Sequence, residues 1–175
     1  EKNSPEPFQF AFIDYLFTIK KNTFILRTNY ANRYANNNFQ IESDYYHILN
    51  KTNYIYLNYG YSFSQGLFPK NRIGAEYYFP TTPNLIDISF GIRYLDFISS
   101  DAFIVTGHLG KSIKRSWLGI RPFLVFQKNI NSASLVIDAK HYLKNRNYWL
   151  IEFIIGNSPD ERYVLSNNGE IFKLN

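Results

Sequence analysis

From Ser64 to Phe126 the chain alternates apolar and polar residues in runs of about ten, with short breaks between runs. Ile73, Ala75, Tyr77 and Phe79 alternate with Arg72, Gly74 and Glu76, and Ile86, Ile88, Phe90, Ile92 and Tyr94 with Asp87, Ser89, Gly91 and Arg93. A two-residue period puts each set on one side of a pleated strand. Breaks this short join only antiparallel neighbours. The same pattern extends in both directions and predicts ten strands, over 8–20, 23–34, 39–49, 52–63, 71–79, 85–97, 102–111, 116–127, 133–143 and 147–156. Lys20-Lys21-Asn22 and Asn36-Asn37-Asn38 are expected turns, the second because Asn tolerates left-handed backbone angles. Pro80 and Pro83 bracket another. Pro122 stands on the apolar side of the eighth strand, where its missing N–H suggests a bulge.

The two faces differ in kind. One is apolar and aromatic, as in Leu118, Ile120, Leu124 and Phe126, or Trp149, Ile151, Phe153 and Ile155. The other carries Asp14, Arg27, Arg33, Glu42, Asp44, Glu76, Asp87, Arg93, Arg121, Asp138, Lys140 and Glu152. In a narrow lumen an isolated charge is costly, whereas a paired and hydrogen-bonded one is tolerated. The signs interleave along the chain, so these side chains are expected to form a charge network that fills the lumen. A path selective for one sign would show an excess of that sign.

Composition points the same way. Aromatic residues make up 19% of the 175, with 15 Tyr and 16 Phe, yet mean hydropathy is −0.30. A soluble core this aromatic would raise the mean. A barrel that shows aromatics to lipid and polar groups to its lumen reconciles the two numbers. No apolar run approaches the ~18 residues of a membrane-spanning helix. The reading is therefore all-β: an antiparallel transmembrane up-and-down β-barrel in the bacterial outer membrane. Residues 1–7 are a periplasmic lead-in and 8–175 the barrel domain. A soluble lipocalin-like barrel is the rival, and it needs the aromatic face turned inward. The pattern breaks off in a stub at 170–174, and bacterial barrels have even strand numbers. The expectation is thus about twelve strands in a protein that continues past Asn175. The absence of Met suggests that a preceding segment has been removed. There is no Cys, which an outer-membrane protein can do without. The net charge of +5 and pI near 9.3 come from scattered bases, so nucleic acid is not an expected partner.

Candidate chemistry is sparse. His47 and His141 fall at strand ends beside aromatics, where an interfacial structural role is expected. His108 and Ser112 share a strand face but stand about 13 Å apart by strand rise, too far for a nucleophile and its base. Gly107-x-x-Gly110-Lys111-Ser112 lacks the first glycine of a phosphate-binding loop and lies in a strand. No His, Asp or Glu spacing suggests a metal site. Catalytic residues, cofactors and metals are not expected.

Several ordered motifs carry a resemblance. Leu67-Phe68-Pro69-Lys70-x-Arg72-x-Gly74-x-Glu76 is similar to the signature of the YaiO family of outer-membrane β-barrels. So are Gly91-x-Arg93-Tyr94-Leu95-x-Phe97, Thr106-Gly107-x-Leu109-Gly110-Lys111, Trp117-Leu118-x-x-Arg121-Pro122 and Gly156-Asn157-Ser158-Pro159-Asp160. His108 stands where the family has a small polar residue, and Ser112 where it has an aromatic. The resemblance implies a barrel in the outer membrane and brings no activity with it. The functional expectation is a non-enzymatic barrel with a structural or accessory role in an envelope protein complex. Its partners would be outer-membrane lipids and other outer-membrane or periplasmic proteins. The alternatives are a narrow channel or transporter for small solutes, and a lipid-modifying enzyme.

Overall fold

The computed structural model describes residues 9–33, 36–63, 66–79, 86–98, 100–128, 131–143 and 147–156. They form ten strands: β1 (Gln9–Ile19), β2 (Asn22–Arg33), β3 (Asn36–Ile48), β4 (Tyr54–Ser62), β5 (Asn71–Tyr78), β6 (Ile86–Asp96), β7 (Asp101–Ile113), β8 (Ser116–Gln127), β9 (Asn131–Tyr142) and β10 (Tyr148–Gly156). They lie in one sheet in chain order, each antiparallel to the next. This is an up-and-down meander, with β1 and β10 as the margins of the described sheet. The expected lead-in at 1–7, the turn at Pro80 and Pro83, the motif residues 157–160 and the stub at 170–174 lie outside the described residues.

All ten expected strands form, and inner strands such as β3, β4 and β8 bury alternate residues, whereas the margin strands β1 and β10 are exposed along both faces; two local expectations fail. Asn36, Asn37 and Asn38 are not a turn: they begin β3, where Asn37 opposes Asn32 and Asn38 opposes Ala31. Asn38 points inward and is 1% exposed. Pairing with β2 overrides the turn preference of Asn. Pro122 makes no bulge either. Thr106 opposes Phe123 and Leu109 opposes Ile120, so the register is the same on both sides of the proline, with the pairing to β7 interrupted only beside it. The Pro122 carbonyl accepts a hydrogen bond from Thr106 Oγ1 at 2.9 Å. Two tight turns, Lys20-Lys21 and Lys114-Arg115, start on a lysine in the left-handed region, with φ of 55° and 53°, where hairpins usually place glycine.

The sheet is strongly curved. Arg121 of β8 reaches Glu76 of β5 at 2.8 Å, although three interstrand steps span about 14 Å on a flat sheet. The concave face is the polar one, and the burial is inverted relative to a soluble protein. Glu42 is 3% exposed and Glu76 4%, while Ile13 is 77% exposed and Trp149 67%. This geometry rules out the lipocalin-like alternative, because the aromatic and aliphatic set faces out. On that outer surface an aliphatic band is bordered by aromatic clusters. Near one border Phe17 stacks on Phe24, Phe24 meets Tyr45, and Tyr45 stacks on His47. Near the other, Tyr30 meets Phe39 and Tyr61 meets Phe63. Such girdles belong at the two water–lipid interfaces of a membrane barrel.

Candidate functional site

The concave face is built in three levels. In the middle lie the long charged side chains. Arg27 of β2 binds Asp14 of β1 through Nε at 2.7 Å and a second nitrogen at 3.0 Å, and it approaches Glu42 and Asp44 of β3 at 3.5 and 3.8 Å. Arg72 of β5 reaches the other oxygen of Glu42 at 3.5 Å. Glu76 is held by Arg121 at 2.8 Å, by Arg93 at 3.9 Å, and by the hydroxyl of Ser89. Asp44 accepts from Tyr56 Oη at 2.8 Å and Asn58 Nδ2 at 2.6 Å. Among the described residues four carboxylates therefore meet four guanidiniums, and these eight groups balance in charge. Glycines make room for it. A Cβ on Gly60 would stand 3.1 Å from Glu42 Cγ, and one on Gly91 would stand 2.9 Å from Glu76 Cγ. Without those glycines the long side chains could not cross over the intervening strands.

Toward the second level the face turns apolar. Leu95, Ala102, Ile104, Phe123, Val125 and Val136 form one buried cluster from β6 to β9. The loop between β4 and β5 folds in beside β1 to β3. Leu67, 2% exposed, and Phe68 pack with Ala31, and the Leu67 N–H donates to Asn38 Oδ1 at 3.3 Å. Phe68 also meets Phe10 at 6.4 Å between ring centres. This is the Leu67 end. It is packed with side chains.

The third level, at the opposite ends of the strands, is the Tyr54 end, and it is open. A cavity of about 270 Å³ is lined by Tyr54, Tyr78, Asp87, Ile88, His108, Trp117, Arg121 and Asp138. Tyr54 and Tyr78 stack at 4.2 Å. Trp117 of β8 passes over Gly110 of β7 to give its indole N–H to Asp87 Oδ2 of β6 at 3.0 Å. His108 stacks on the Trp117 ring at 5.3 Å, and Lys140 Nζ lies 5.7 Å from its centre. Gly110 and Gly119, neighbours across β7 and β8, form the floor under these rings. A Cβ on Gly110 would fall 2.9 Å from the Trp117 ring, and one on Gly119 would fall 2.8 Å from His108 Nε2.

Of the charges expected to form a lumen network, Asp14, Arg27, Glu42, Asp44, Glu76, Arg93 and Arg121 are joined in it. Asp87 and Lys140 are drawn instead to Trp117. Glu152 stands opposite Asp138 on the exposed margin strand β10, and the Arg33 side chain lies outside the described residues. Arg72 and Ser89 belong to the network but were not singled out for it. Their inward position was already written in the alternation of β5 and β6. Trp117 was missed as an inner residue because aromatics had been assigned to the lipid face. The family-motif residues now acquire roles. Leu67 and Phe68 fill one end, Arg72, Arg93 and Arg121 supply cations, Gly74 lies under Arg93, and Gly110 makes room for His108 and Trp117. Gly107 lies close to the Ser89 backbone, while Tyr94 and Pro122 face outward. His47 and His141 sit on the outer face at this end, bonded to Asn22 at 2.7 Å and Ser116 at 2.9 Å. Among the described residues no three of His, Asp and Glu converge as a metal site would require.

No curated protein and no solved structure matches the chain. The family described as the YaiO membrane beta barrel domain matches residues 2–161. That span takes in all ten strands, the plugging loop and the whole charge network, and the chain belongs to the YaiO family of membrane β-barrels.

Proposed function

We propose that this barrel resides in the bacterial outer membrane and serves there as a non-enzymatic structural or accessory component of an envelope protein complex. The single observation that carries the reading is the filling of the concave face. A charge-neutral network crosses it from β1 to β8, and Leu67 and Phe68 pack one end. A channel for small solutes needs a continuous path past both. It also draws selectivity from an excess of one sign, which four carboxylates against four guanidiniums do not provide. A filled barrel meets its surroundings through its lipid-facing band and its two rims, the surfaces an accessory subunit uses. The test is purification from native outer membranes in mild detergent after brief crosslinking. A second envelope protein in fixed ratio is the expected result. A barrel that purifies alone at every detergent strength would overturn the accessory role.

A further inference from the structure

We propose that the cavity at the Tyr54 end is a binding site for one neutral sugar ring. The argument starts from what the cavity offers. Its walls include the stacked Tyr54 and Tyr78 rings, flat apolar surfaces suited to the C–H face of a pyranose, with the Trp117 indole beside them. Between them stand groups with hydrogen-bonding capacity left over. Asp87 uses Oδ2 for the indole N–H, which leaves Oδ1. The Asp138 carboxylate, the Tyr54 hydroxyl and the His108 ring nitrogens have no hydrogen-bond partner among the described residues. A pocket with apolar walls and a few converging polar groups is the ordinary form of a small-molecule site. At about 270 Å³ it holds a single ring rather than a chain.

The signs of the charges select the ligand class. A quaternary or primary amine would seek the Trp117 face, but Lys140 already stands over that face at 5.7 Å, and Arg121 lines the same cavity. A phosphate or carboxylate would have to settle between Asp87 and Asp138. A neutral polyol avoids both conflicts: its hydroxyls donate to the carboxylates and accept from Tyr54 and Arg121. The floor is preorganised. Asp87, Gly110, Gly119 and Asp138 are successive partners across β6 to β9, so two glycines separate two carboxylates in one row. The Trp117–His108 stack rests on that floor and is tied to Asp87. This site does not depend on the barrel having a protein partner.

The 175-residue sequence has two tryptophans, and Trp149 faces outward, so within it Trp149→Phe leaves Trp117 as the indole reporter. Full-length Trp149→Phe in detergent is titrated with glucose, galactose, mannose and N-acetylglucosamine, and in parallel with choline and inorganic phosphate, while Trp117 fluorescence is read. The expected result is a saturable change with at least one sugar, with a Kd in the millimolar range, and none with choline or phosphate. Asp138→Asn, added to that background, keeps the shape, loses the charge, and should weaken the response about tenfold. His108→Ala gives a second variant in case the first folds poorly, and heat-modified gel migration confirms the fold of each. The proposal is overturned by no saturable response to any of the four sugars up to about 100 mM, by a response to choline or phosphate instead, or by unchanged affinity in both folded variants.

Discussion

The two ends of the concave face are made from the same kind of strand and end up as opposites. At the Leu67 end, most inward positions on β6 to β9 are aliphatic or Phe, with Ser132 and Ser134 of β9 set among them, and a loop from β4–β5 tucks Leu67 and Phe68 against Ala31. At the Tyr54 end, inward positions are Tyr, Trp, His, Asp and Gly, and a cavity remains. The apolar members of the first set pack against one another and need no polar partner. The second cannot close, because rings seated on Gly110 and Gly119 are fixed in place by Asp87 and leave room beside them. The neutral charge layer between them insulates one from the other. One face thus holds a packed end and an end with a cavity, the first made by side-chain packing and the second by rings seated on glycines.

The comparison is broken most severely in the layer that separates the ends. Arg121→Leu leaves Glu76, 4% exposed, without its nearest guanidinium, the remaining one being the more distant Arg93. A loss of about 3 kcal/mol is expected, read as a lower temperature for the heat-modified gel shift of the detergent-solubilised barrel. At the packed end, Leu67→Ala removes a side chain that is 2% exposed, and about 2 kcal/mol should go with it. The matching truncation at the end with the cavity, Tyr54→Ala, removes a half-buried ring and should cost clearly less in the same assay. Equal losses would erase the contrast between the ends. Gly91→Ala forces a methyl to 2.9 Å from Glu76 Cγ and 3.1 Å from the Ala75 carbonyl, and about 1 kcal/mol of destabilisation should follow in denaturant titration. Smallest is Asp14→Asn. Its pair with Arg27 is about a third exposed, so less than about 1 kcal/mol is expected. That difference should shrink further when the melt is repeated in high salt.

Much of this was legible in the alternation alone. Strand number, antiparallel order, the lipid-facing set and the pairing of interleaved charges all follow from a two-residue period and the cost of an unpaired charge in a narrow lumen. What stayed hidden depends on curvature and on loops. That Glu76 and Arg121, 45 positions apart, should touch requires β5 and β8 to bend toward each other, and no local pattern encodes the bend. Leu67 and Phe68 sit in a connection with no period, so their burial left no trace in the pattern. Trp117 reads as one more girdle aromatic until its position relative to Gly119 and Arg121 is followed inward. Asn36, Asn37 and Asn38 misled because a strong local preference yielded to the register of β2.

The central claim is that packing and paired charge fill the concave face. Single-channel recording of the purified full-length protein in planar bilayers tests it most directly. The account predicts a silent membrane at every voltage that the bilayer withstands. Stable, ohmic current steps that scale with protein added would contradict it, and the charges of the middle layer would then have to be read as the lining of a pore.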